Sequence, residues 1–141
     1  MSDTESIRPT VLIAEDESEL LEALRDMVEG KGFHVVAATT QGGEAIEIAS
    51  ERKPDLALLD YRLPGIDGVA IARAIKSDSP NTQVIMFTAY DEMSLSVDAT
   101  RAGVFAFLVK GCPPSLILQA LERAWEFKQE LEAVGSSGPK E

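Results

Sequence analysis

The chain has 141 residues, with 13 basic and 24 acidic side chains and a formal net charge of −11. That length makes one compact domain whose core needs no disulfide or metal staple, and the acidic balance argues against direct nucleic-acid binding, which requires clustered lysine and arginine. No apolar run approaches a membrane span, and the polar start MSDTESIRP reads as lacking a signal peptide. The single cysteine, Cys112, excludes an internal disulfide and fits a reducing compartment, so a cytoplasmic protein without membrane contact is expected.

Residues 1–8 read as a flexible N-terminal segment. Val11–Ala14 is the first of five short runs that are apolar on both faces, as strands buried between two helical layers are. Leu20, Leu21, Leu24, Met27 and Val28 then form one apolar helical stripe, closed by Gly30 and Gly32. This stretch is acidic: residues 15 to 29 hold seven acids and one base, Arg25. A second strand, Val35–Ala38, precedes a helix marked by Ala45, Ile48 and Ala49 and stopped before Pro54. The third strand, Leu56–Leu59, leads to a helix with Gly68, Ile71, Ala72 and Ile75, for which Asp67 is the expected N-cap. Val84–Phe87 is followed by a weaker helix from Met93 to Ala102, closed by Gly103. Ala106–Val109 precedes a fifth helix from about Ser115 to Val134, with Ile117, Leu118, Leu121 and Trp125 expected to face the core. Residues 135–141 read as a flexible tail or the start of a linker.

Five alternating strand–helix units predict an α/β fold: a single-domain, doubly wound parallel sheet with right-handed crossovers. The flavodoxin-like (βα)5 strand order 2-1-3-4-5 suits it, and the domain spans residues 9–134. In such sheets the site forms beyond the carboxyl ends of the strands, where the order reverses. The residues following strands 1, 3, 4 and 5 are Glu15, Asp16 and Glu17, then Asp60, Thr88 and Lys110. Converging carboxylates repel one another, and a hard divalent cation such as Mg²⁺ relieves this. Zinc fits poorly, because no Cys or His is near and the one histidine, His34, lies at the other end of the sheet. Taken singly, Asp16 could instead be a helix cap, Thr88 a turn residue and Lys110 a surface charge. As a set they offer a carboxylate nucleophile for a phosphoryl group, with a hydroxyl and an ammonium to bind its oxygens.

These residues and their surroundings resemble the receiver domains of two-component response regulators. The likeness is carried by Val11-Leu-Ile-Ala-Glu-Asp-Glu17, Leu58-Leu-Asp-Tyr-Arg-Leu-Pro-Gly-Ile-Asp-Gly68, Met86-Phe-Thr-Ala-Tyr90 and Ala102-Gly-Val-Phe-Ala-Phe-Leu-Val-Lys110. The resemblance implies a phosphorylation-activated signalling domain rather than an enzyme, limited to self-phosphorylation and autodephosphorylation. Asp60 would accept phosphate from a histidine kinase or phosphotransfer protein. Asp16 and Asp60 would ligate Mg²⁺ directly, with Glu15 acting through water and the backbone carbonyl of Arg62 adding a ligand. Lys110 would pair with the phosphoryl group, Thr88 would move toward it, and Phe107 would turn inward, changing the surface of helix 4, strand 5 and helix 5 for a downstream target or output domain. The first helix is where the family docks its phosphodonor.

The chain departs from the family in having Gly111 where a proline usually follows the lysine, and a trans Lys110–Gly111 bond is expected. Arg62 and Tyr90, two residues beyond Asp60 and Thr88, are expected to overhang the site and to modulate the lifetime of the phosphorylated state. Along the fifth helix, Ala120, Ala124, Phe127, Leu131 and Val134 form a seam at 4-3-4-3 spacing, suited to a homodimer or a partner helix. Other readings of this topology are an aspartyl phosphohydrolase, a flavin or nucleotide carrier, an unphosphorylated scaffold, and a receiver fragment of a longer regulator. The first lacks a second acid at position 62, and the second meets acids where its phosphate loop should lie.

Overall fold

The computed structural model describes residues 8–89 and 93–136, with side chains at all of these but 93, 94, 135 and 136. Tyr90 and the segments 1–7 and 137–141 lie outside the described residues. The main sheet contains β1 (Thr10–Ala14), β2 (His34–Thr39), β3 (Leu56–Asp60), β6 (Gln83–Thr88) and β7 (Ala106–Val109), all pairs parallel. Its order, β2-β1-β3-β6-β7, is the expected 2-1-3-4-5 when the main-sheet strands alone are counted. The remaining strands, β4 (Arg62–Leu63) and β5 (Ile66–Asp67), form a two-stranded antiparallel hairpin that the apolar pattern did not predict. Strands this short leave no periodicity to read, although Pro64-Gly65 marks the turn, with Gly65 at φ 84°.

The helices are α1 (Ser18–Gly30), α2 (Gly42–Arg52), α3 (Gly68–Asp78), α4 (Met93–Arg101) and α5 (Pro114–Ser136). Alternation along each buried strand divides the core in two. Val11, Ile13, Leu56, Leu58, Ile85 and Phe87 pack under α1 and α5, with Leu21, Leu24, Val28, Ile117 and Leu121. Leu12, Ala14, Ala57, Leu59, Val84 and Met86 pack under α2, α3 and α4, with Ala45, Ala49, Ile71, Ile75 and Ala99. Asp67 caps α3 as expected, its carboxylate accepting the Ala70 N–H at 2.9 Å. None of the helices among the described residues is long and apolar enough to cross a membrane.

Two expectations change. Ala120 and Ala124, assigned to an outer seam of α5, lie in the core, while Leu118 and Trp125 pack against it half-buried, as their expected core-facing places imply. The core face of α5 thus keeps Ile117 and Leu121 with Leu118 and Trp125 packed against them, and is widened by Ala120 and Ala124. Lys128 is itself buried: its ammonium lies 3.0 Å from Asp55 Oδ1 and also bonds Glu132. Asp55 Oδ2 in turn accepts from the Thr10 N–H at 2.8 Å and its hydroxyl at 3.1 Å. Arg8, assigned to the flexible leader, donates to the Gly32 and Phe33 carbonyls at 3.0 and 3.1 Å.

Candidate functional site

The carboxyl ends of β1, β3, β6 and β7 meet on one edge of the sheet. Glu15, continuing the parity of Val11 and Ile13, turns onto the α1–α5 face and is fully buried, its N–H donating to the Thr39 carbonyl at 3.0 Å. Asp60 is the last residue of β3 and is 3% exposed. Asp16 is exposed and does not cap α1; Glu17 stands at the N-cap position, without a side-chain capping bond. A carboxylate oxygen from each of Glu15, Asp16 and Asp60 lies within 4.8 Å of the others.

Lys110 enters from beyond β7. Its Nζ lies 3.0 Å from Glu15 Oε1 and 3.2 Å from both Glu15 Oε2 and Asp60 Oδ2. It also sits 5.7 Å from the centre of the Phe87 ring. Glu15 Oε2 accepts the Glu17 N–H at 3.0 Å and Asp60 Oδ1 accepts the Arg62 N–H at 3.2 Å. Burial pushes the Glu15 carboxyl up to about 7, against the pull of the Glu17 N–H and of Lys110. Burial likewise raises Asp60, outweighing the Arg62 N–H and the lysine. Burial works to lower Lys110, but the Glu15 and Asp60 carboxylates outweigh it and hold the ammonium above the usual lysine value. Two acids against one base leave excess negative charge in a poorly solvated place.

Glu15 Oε1 supplies a test of whether a cation suits this charge. It is buried and, though 3.0 Å from Lys110 Nζ, lies off the hydrogen-bonding direction and accepts no hydrogen bond. A buried carboxylate oxygen without a hydrogen-bond donor, beside two more carboxylates and with only hard oxygen donors around, fits a divalent cation of the magnesium type.

A cleft of about 150 Å³ opens over the cluster, lined by Asp16, Glu17, Asp60, Arg62, Thr88 and Lys110. Thr88 is fully buried at the end of β6, and its carbonyl accepts the Lys110 N–H. Phe107 is half-buried on β7, paired with Met86, two residues before Thr88 in the neighbouring strand. Arg62 is exposed at the rim. Every predicted site residue among the described ones therefore lies at this edge or one step below it.

Gly68, named in the sequence as a marker of the third helix and the end of the Asp60 segment, has a packing role that the pattern did not show. A Cβ there would come within 2.7 Å of Tyr61 Cα and 2.8 Å of the Asp60 carbonyl, so glycine lets α3 start directly against the loop that carries Asp60. The Gly68 N–H donates to the Tyr61 carbonyl at 2.6 Å, closing that loop.

The receiver domain model of response regulators matches residues 11–122. The chain is 31% identical over 113 residues to the chemotaxis protein CheY of Thermotoga maritima, covering 80% of this chain and 94% of that protein. It is 35% identical over 124 residues to the transcriptional regulatory protein PdtaR of Mycobacterium tuberculosis, covering 88% of this chain and 60% of that protein. The solved signal receiver domain of NarL from Mycobacterium tuberculosis superposes with a TM-score of 0.80 at 29% identity, covering 84% and 97% of the two chains.

Proposed function

The chain belongs to the response regulator receiver domain family, and from that premise we propose that Asp60 is its phosphoacceptor, loaded by a histidine kinase or phosphotransfer protein. The observation that carries this reading is the convergence of Asp60 with Asp16, Lys110 and Thr88 around one cleft, with buried Glu15 paired to the same lysine. An Asp60 carboxylate oxygen attacks the phosphorus of the donor's phosphohistidine. The new O–P bond forms as the P–N bond breaks, and the imidazole leaves with the electron pair and takes up a proton. Lys110, already 3.2 Å from Asp60, pairs with the phosphoryl oxygens, and the Thr88 hydroxyl hydrogen-bonds one of them. Asp16, Asp60 and the Arg62 carbonyl would hold Mg²⁺, with Glu15 assisting through water; when bound, the ion neutralises phosphoryl charge.

Loading Asp60 draws Thr88 toward the site, and Phe107 turns into the space it leaves. That changes the surface of α4, β7 and α5, which passes the signal to a downstream target or an output domain. PdtaR extends well beyond the part this chain matches, which supports an output module as one recipient. The exposed residues of α5, Phe127, Leu131 and Val134, support a second copy or a partner helix as another contact. Arg62 at the rim shields the acyl phosphate from water; Tyr90 is assigned the same role from its place in the sequence. Histidine-kinase partners and the lone cysteine support a cytoplasmic location. The experiment is a ¹H–¹⁵N correlation spectrum recorded with Mg²⁺ and beryllofluoride. Shifts centred on Asp60, Thr88 and Phe107 and absent from Asp60→Ala are expected; a spectrum indifferent to beryllofluoride contradicts the reading.

A further inference from the structure

Between β7 and α5 the chain reverses direction in four residues. The Cys112 N–H donates to the Val109 carbonyl at 3.1 Å, closing a turn with Lys110 and Gly111 at its two central positions. Gly111 has φ 99°, the left-handed region that the third residue of a type II turn requires and that glycine enters most readily. The Lys110 N–H is bonded to the Thr88 carbonyl, so the lysine backbone is tied to the strand end that carries the site's hydroxyl. From this corner its ammonium reaches Glu15 and Asp60 at 3.0 to 3.2 Å. A Cβ on Gly111 would meet no atom within 4 Å. Backbone conformation, and not space, is what demands glycine there.

We propose that Gly111 is a positioning residue for phosphoryl uptake: its positive φ sets the corner from which Lys110 reaches Asp60 and the incoming phosphoryl group. The proposal rests on the reading of Asp60 as phosphoacceptor. An L-residue at 111 drives the turn toward negative φ, loosens the Cys112–Val109 bond and withdraws the ammonium. The Glu15, Asp16 and Asp60 carboxylates stay in place, because β1 and β3 hold them from the far side of the cleft. Phosphoryl uptake and cation binding should therefore separate.

The test compares the parent chain, Gly111→Ala, Lys110→Ala and the double variant, measuring uptake from acetyl phosphate and affinity for Mg²⁺ alone. Gly111→Ala is expected to slow uptake by about five- to thirtyfold, the cost of a left-handed conformation at an alanine, while Mg²⁺ affinity is not weakened, because withdrawing the ammonium leaves the carboxylates freer for a cation. In the Lys110→Ala background the same substitution should add no further loss, because its effect passes through the lysine. Gly111→Asn, which tolerates positive φ better, should recover part of the rate and stands in should the alanine variant fold poorly. Parental uptake in Gly111→Ala overturns the proposal, as does an equal loss in the Lys110→Ala background. A parent chain that takes up no phosphoryl group overturns the reading of Asp60 instead.

Discussion

At the scale of single residues the site is a charge problem left partly open. Glu15 and Asp60 are both buried and both lean on one ammonium. With its carboxyl held near 7 in the fold and near its ordinary value when unfolded, Glu15 binds its proton more tightly in the folded state. Stability of the metal-free protein is therefore greatest below the unfolded value and falls as pH rises toward about 7. Glu15→Gln should flatten that slope and raise stability at pH 8 in chelator by about 2 kcal/mol, read from urea unfolding at a series of pH values. An unaltered slope would place the charge problem elsewhere. Lys110→Met strands the two acids and should cost about 2 kcal/mol at pH 8, with the Glu15→Gln/Lys110→Met pair recovering most of it.

The acids, hydroxyl and lysine were legible because the residue after each buried run is the one a parallel sheet delivers to its carboxyl edge. That Glu15 would be wholly buried was not, since its burial depends on α1, β2 and the lysine from 95 positions away.

At the scale of elements, the β3–α3 segment is built around a close approach. Gly68→Ala pushes a methyl group into the Asp60 and Tyr61 backbone and should destabilise the fold by about 1–3 kcal/mol, with slower phosphoryl uptake from displacement of Asp60. Thermal unfolding and acetyl phosphate kinetics measured on one variant check both. Helix α5 shows what pattern alone left undecided. Ala120 and Ala124 fit an outer seam as well as a core stripe by spacing. The choice falls to shape, since small side chains let the helix approach the sheet closely. Lys128 is similar, a polar residue on a helix whose burial is settled by Asp55 at the foot of β3 and Thr10 at the start of β1. Asp55→Ala removes that anchor and should cost about 2 kcal/mol without altering Asp60 chemistry at the opposite end of the sheet.

At the scale of the whole molecule, acidity and length acquire separate meanings. Some of the negative charge is the Glu15, Asp16 and Asp60 cluster, more lies along α1, and part pairs internally with Lys128. The receiver fold occupies most of the chain. If Phe127, Leu131 and Val134 form a contact between copies, light scattering after size exclusion should show a dimer that Leu131→Glu returns to monomer. A strict monomer with and without beryllofluoride would remove that contact. Phosphoryl acceptance by Asp60 is read from the intact mass of the chain after incubation with Mg²⁺ and acetyl phosphate. A gain of one phosphoryl group, lost in Asp60→Asn and suppressed by chelator, is expected. A mass that never changes, or a gain that persists in Asp60→Asn, would contradict it.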